Sequence, residues 1–131
     1  MIVVDASAVL EVLLNRPLAV PIRARIFVPG ETLHAPHLLD LEVTQVLRRY
    51  SLARELAETR AGEAFEDFAN LALSRYPHDF LLPRIWALRH NCTAYDAAYI
   101  ALAELLDAPL VTCDQGLASA EWHSATVELF G

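Results

Sequence analysis

Asp5 closes the apolar run Met1–Val4, and Asp114 follows the run Pro109–Cys113. A carboxylate is awkward at the end of a buried strand, but that position lies at the carboxyl edge of a parallel sheet, where open α/β folds hold their ligands. Two further acids fall on helical patterns. Glu42 flanks the apolar face formed by Leu39, Val43, Val46 and Tyr50, about 80° from its centre at roughly 100° per residue. Asp96 shares a row with Ile100 and Ala103, so its carboxylate starts in the first helical turn and points inward.

Each acid taken singly has a plain structural reading. Asp5 and Asp114 can cap the helices that follow them, a role worth about 1 kcal/mol, and Glu42 can face solvent. Asp96 resists that treatment, because a buried acid without a partner costs several kcal/mol or takes up a proton. Four acids aimed at one sheet edge repel one another unless a cation intervenes. With only oxygen donors on offer, Mg²⁺ or Mn²⁺ fits best, and such an ion keeps waters in its shell. The chemistry this allows is phosphodiester hydrolysis by a metal-activated water, with no covalent enzyme intermediate. Ser7 and Thr112 each stand two residues from an acid, at Asp5 and Asp114, and their hydroxyls can orient a carboxylate or a metal-bound water. Ser7 is equally a helix cap, and it has no His–Asp partnership that would make it a nucleophile.

The elements needed to position these groups are legible in the pattern of apolar residues. Residues 2–5 read as a buried strand and residues 7–14 as the helix it feeds; residues 17–28 read as a helix ended by Pro29-Gly30. A strand is expected over 32–35, a helix over 38–52, and another over 54–73 whose acids at 55, 58, 63, 66 and 67 form a solvated face. A strand over 76–80, a helix over 83–90 and a buried helix over 93–106, apolar nearly all round, follow. Residues 110–112 read as a strand, 115–120 as a short helix and 126–130 as a last strand. Strands alternating with helices predict a single α/β domain over residues 1–131 with a mainly parallel central sheet.

Composition sets the limits. In 131 residues, 55% are hydrophobic and the mean hydropathy is +0.31, which excludes disorder. The longest apolar segments are too short or too interrupted to cross a bilayer, and no basic leader precedes the first strand, so a soluble cytoplasmic protein is expected. Cys92 and Cys113 lie in different elements and lack zinc-site spacing, and both read as buried thiols. None of the histidines shows zinc spacing. A net charge of −7 opposes a broad basic nucleic-acid surface. If the four acids are neutralised by metal, however, ten basic residues, all Arg, are left to meet a polyanion.

Taken together, the motifs Val3–Ala8, Leu38–Thr44 around Glu42, Tyr95–Glu104 and Leu110–Leu117 resemble the PIN domains of the VapC toxin type, over nearly the whole chain. The resemblance implies a three-layer α/β/α fold and a toxin of a type II toxin–antitoxin system. It implies Asp5, Glu42, Asp96 and Asp114 as catalytic metal ligands for Mg²⁺ or Mn²⁺, supported by Ser7 and Thr112. It also implies endonucleolytic cleavage of structured RNA such as tRNA or ribosomal RNA, a homodimer, and inhibition by a VapB-like antitoxin. Asp107 departs from the family's usual glycine, but at the opposite end of its strand from Asp114. Arg49, about two turns from Glu42 on nearly the same helix face, is the candidate RNA contact. Ile22, Ile26, Phe27 and Leu52 are candidates for a partner surface, with a core role as the alternative. Two competing readings remain at this level: an idle binding module around a structural ion, and a metal-dependent phosphatase.

Overall fold

The computed structural model describes residues 1–118 and 121–131. Five strands, β1 (Ile2–Val4), β2 (Leu33–Pro36), β3 (Leu73–Tyr76), β4 (Leu110–Thr112) and β5 (Val127–Leu129), form one sheet in the order β3-β2-β1-β4-β5, parallel throughout. The helices are α1 (Ala6–Leu13), α2 (Ala19–Ile26), α3 (Leu38–Leu52), α4 (Glu58–Ala69), α5 (Leu82–Ala87), α6 (Ala94–Leu106) and α7 (Gln115–Ala118). The α/β class, the parallel sheet and most elements match the expectation. The expected end of the α7 helix at Ala120 lies outside the described residues.

β1 and β4 are uniformly apolar because they are buried at the middle of the sheet. Helix α6 is buried on almost every side from Ala97 to Ala103 and packs against β1, β2 and β4, which explains its lack of a polar face. Helices α1, α2, α3 and α4 pack among themselves, and α5 packs on α6. Thr93 caps α6 by accepting from the Asp96 backbone N–H at 3.2 Å. Asp107 ends the helix in the left-handed conformation, at φ 49°, where glycine is the usual residue.

Several boundaries differ from the sequence expectation, among them the helices expected over 17–28 and 83–90, which are Ala19–Ile26 and Leu82–Ala87. The helix expected over 54–73 is shorter, because Arg54 turns into the left-handed region at φ 57° and Leu73 is drawn into the sheet. Its acids do face solvent. The third strand is Leu73–Tyr76 rather than 76–80, since pairing with β2 runs from Leu33↔Leu73 to Pro36↔Tyr76 and Pro77 has no N–H to extend the ladder. Residues 79–81 instead form a 3₁₀ turn leading into α5. On α3 the buried row is Leu39, Val43 and Leu47, with Val46 and Tyr50 only half-buried. Ile22 and Ile26 belong to the core, whereas Phe27 and Leu52 are exposed. Both cysteines are free and half-buried rather than fully enclosed.

Candidate active site

The chain runs β1, β2, β3 toward one side of the sheet and then returns to lay β4 and β5 on the other, so the order reverses between β1 and β4. At such a switch point the loops diverge and leave a crevice outside the carboxyl ends of the strands. Asp5 is the residue after β1, and Asp114 lies two residues after the end of β4. Glu42 in the second turn of α3 and Asp96 in the first turn of α6 approach the same crevice, since both helices start at that edge.

Asp5 is the organising group. It is 6% exposed, and its Oδ1 accepts from the Ser7 hydroxyl at 2.6 Å and the Ala8 backbone N–H at 3.0 Å, while its Oδ2 accepts from the Thr112 hydroxyl. The two hydroxyls also reach outward. Ser7 Oγ accepts from the Cys113 N–H at 2.9 Å and Thr112 Oγ1 from the Asp114 N–H at 2.9 Å. Ser7 and Thr112 therefore fasten the loop after β4 onto the end of β1. The capping and supporting readings of these residues hold together: Asp5 caps α1, and Asp114 Oδ1 accepts from the Gly116 N–H at 2.8 Å at the start of α7.

Glu42 is half-buried, and its Oε1 accepts from the Tyr99 hydroxyl at 2.5 Å. Asp96 is also half-buried, and among the described residues its carboxylate has no hydrogen-bond donor. Burial pushes the Asp5 carboxyl above the usual range against the three hydrogen bonds that favour its charge, and the nearby Asp114 charge adds to the rise. Glu42 is raised by burial and by the charges of Asp5 and Asp96, with Tyr99 opposing. Asp96 is raised by burial, then by Asp114 and Asp5. All four acids thus share one electrostatic neighbourhood.

Their fit to a cation follows from the donor set. All four are hard oxygen donors, no basic side chain pairs with them among the described residues, and three hold protons more tightly than free acids do. Among the described residues no three His, Cys, Asp or Glu side chains are arranged to hold a metal ion jointly. The donor chemistry of the four acids matches an ion that takes a few carboxylates and keeps its waters, as Mg²⁺ does.

Tyr99 is the site residue that the sequence reading did not single out. Its only signal is its place three residues after Asp96, on the adjoining part of the same helix face. Burial, then the Glu42 contact, push its phenol far above the ordinary value. Arg49 is not gathered with the acids: it lies about 10 Å further along α3 at 1.5 Å per residue, with its guanidinium 5.6 Å from the Tyr50 ring centre. Asp107 lies at the other end of β4, beside Pro109 and Thr126. His34 is a core residue, held between Thr32 and the Tyr76 hydroxyl at 2.7 Å each.

The PIN domain family pattern matches residues 2–122, most of the chain. The chain belongs to the PIN domain family. Within it, the chain is 46% identical to ribonuclease VapC9 of Mycobacterium tuberculosis over 114 residues, 87% of this chain and 86% of that protein. It is 45% identical to ribonuclease VapC1 of the same organism over 128 residues, 97% of this chain and 96% of the other. A chain of a toxin–antitoxin complex from Klebsiella pneumoniae superposes with a TM-score of 0.65 at 18% identity, covering 92% of this chain and 93% of that one. This places the chain among the VapC ribonuclease relatives, as the motifs led one to expect.

Proposed function

We propose that the protein is the toxin of a type II toxin–antitoxin pair, an Mg²⁺- or Mn²⁺-dependent endoribonuclease that hydrolyses phosphodiester bonds in structured RNA such as tRNA or ribosomal RNA. The observation that carries this reading is the placement of Asp5, Glu42, Asp96 and Asp114 at one switch point of the sheet, and the burial and mutual charge that raise Asp5, Glu42 and Asp96 accord with it. The relatives' names as VapC ribonucleases support the activity class. The structural neighbour solved in a toxin–antitoxin complex accords with a VapB-like antitoxin as partner. A homodimer completes the proposal.

In this reading Asp5, Glu42, Asp96 and Asp114 would hold the ion, in part through its waters. A bound Mg²⁺ or Mn²⁺ supplies a water acidified toward neutral pH and positive charge to offset that of the phosphate. The protein's part is preorganisation. Ser7 and Thr112 donate to both oxygens of Asp5, so this carboxylate keeps one orientation, and Tyr99 does the same for Glu42. The Asp96 carboxylate, without a donor among the described residues, keeps its lone pairs for the ion or for a proton. Arg49 is retained as an RNA-backbone contact outside the cluster.

The test is incubation of total host RNA with the purified chain, stripped of any co-purified antitoxin, in Mn²⁺ or Mg²⁺ against EDTA, beside Asp96→Asn prepared identically. Discrete metal-dependent cuts missing from the variant are expected. A folded, metal-binding wild type that cuts no RNA would sink the reading and turn attention to a phosphomonoesterase assay and to partner binding without turnover.

A further inference from the structure

Four of the ten arginines, Arg16, Arg48, Arg49 and Arg54, have neither an acid nor a carbonyl on their guanidinium among the described residues. All four lie where α1 and α3 end. Arg16 stands three residues past α1, Arg48 and Arg49 near the end of α3, and Arg54 just beyond it. The carbonyl ends of two helices favour cations there. In a chain of net charge −7, this is the place where positive charge collects without a counter-charge.

Two of the four are built together. The Arg16 guanidinium lies 5.1 Å from the centre of the Tyr50 ring and that of Arg49 lies 5.6 Å from it. Hydrogen bonding from Arg16, and then from Arg49, pulls the Tyr50 phenol below its ordinary value against burial. Tyr50 is itself fixed, half-buried, with its backbone carbonyl accepting from the Glu55 and Leu56 N–H groups at 3.0 and 3.3 Å. Two like charges drawn to one phenol repel each other, and an anion bound by both relieves that repulsion. A guanidinium fork matches two phosphate oxygens at once.

The pair also has a fixed relation to the acids. Asp5 caps the start of α1 and Glu42 stands in the second turn of α3, and these two helices pack together and run from the acid cluster to the arginines. Arg49 shares the Glu42 face of α3 at about 10 Å. That length corresponds to about three phosphates at roughly 3.4 Å each along one nucleic-acid strand.

We propose that Arg16 and Arg49, held on Tyr50, form a phosphate clamp that grips the RNA backbone about three nucleotides from the bond cut at the acids. A strand with one phosphate at the acids reaches the clamp along the α1 and α3 surface, so a single polyanion serves both. Phosphate contacts carry no base information, and the clamp therefore sets register rather than sequence. It demands that the substrate extend several nucleotides to one side of the cut. The proposal rests on the ribonuclease reading for the identity of the polyanion.

The test measures binding without cutting. A fluorescent oligouridylate is titrated with the purified chain in EDTA over a series of salt concentrations, and anisotropy is followed. Arg16→Gln and Arg49→Gln, with melting temperatures checked, are each expected to weaken binding about tenfold and to lower the salt slope by about 0.7, the value for one phosphate of a single strand. Tyr50→Phe keeps the ring and removes the hydroxyl, and a few-fold loss is expected. Arg48→Gln is the comparison, since Arg48 is exposed and lies about 100° round the helix from Arg49; its slope is expected to stay near that of the wild type. Equal losses from Arg16, Arg48 and Arg49 overturn the clamp in favour of a diffuse positive field. A wild type that does not bind, or full binding by Arg16→Gln and Arg49→Gln, overturns it outright. Variants that spare RNA but release an oligoglutamate peptide overturn it too, and assign the pair to an acidic segment of a protein partner. Failure of the nuclease reading registers elsewhere, as an absence of metal-dependent cuts by a chain that still binds RNA.

Discussion

The Tyr99 hydroxyl donates to Glu42 Oε1 at 2.5 Å and so joins α6 to α3 beside the acid cluster, across 57 residues of sequence. Tyr99 is 2% exposed and has no freedom to turn elsewhere. The contact favours the charged form of Glu42 against burial and against the charges of Asp5 and Asp96. Tyr99→Phe removes that donor and leaves the ring packing intact. Mn²⁺ affinity, measured by calorimetry, is expected to fall about tenfold, the equivalent of one hydrogen bond to a charged group. Unchanged affinity with unchanged cleavage would show that Glu42 is held by its backbone alone.

Asp96→Asn keeps the shape of the side chain and removes a charge that burial and two neighbouring acids oppose. Metal-dependent cleavage is expected to drop at least a hundredfold while the melting temperature stays the same or rises. A fall in melting temperature with cleavage intact would assign Asp96 to the fold instead.

Thr112 is fully buried, donates to Asp5 and accepts from the Asp114 N–H. Thr112→Val is nearly isosteric and leaves Asp5 and that N–H each short of a partner. A loss of about 1–3 kcal/mol is expected, seen as a melting temperature lower by several degrees, together with weaker metal binding. A neutral effect on both would mean that Ser7 alone holds the loop.

Stability should depend on pH with opposite signs in two regions. Asp5, Glu42 and Asp96 are raised above their ordinary values, so the folded state binds their protons more tightly than the unfolded chain does. Their contribution is fully present below the unfolded values of 3.8 and 4.5 and is lost as pH rises through the raised folded ones. Glu104, paired with Arg84, is lowered to about 2, so its contribution is present above 4.5 and is lost as pH falls toward 2. Divalent ions bind the ionised acids, so Mn²⁺ should raise the melting temperature at pH 8 and do little at pH 4.5. Equal stabilisation at both would rule out these carboxylates as the ligands.

A Cβ added at Gly116 would lie 3.1 Å from Asp114 Oδ1, a side-chain atom free to move. Gly116→Ala is expected to displace that carboxylate by a few tenths of an ångström, with a few-fold loss of cleavage and little change in melting temperature. Full activity in this variant would remove Asp114 from the set that must be held in place.

Much of this site could be read before any coordinates. Asp5 and Asp114 declared themselves because each ends an apolar run, and a strand buried in mid-sheet tolerates an acid only where it emerges. Asp96 declared itself because α6 is apolar nearly all round. The strand boundary that the pattern misplaced most was one set by pairing. The half-buried β3 has no distinctive alternation, and only its register with β2 decides that Leu73, and not Phe80, enters the sheet.

Local periodicity thus determined the element types, the α/β class and the four acids, since each depends on a few neighbouring side chains and on one strand or helix. Only the tertiary structure decided which atoms meet. The Thr112 hydroxyl reaches Asp5 from 107 residues away, and Tyr99 reaches Glu42 from another helix. Arg16 and Arg49 meet at the Tyr50 ring from two separate segments. Such contacts are fixed by how parallel strands order themselves and how helices pack over them, and that long-range geometry leaves no mark in a window of neighbouring residues.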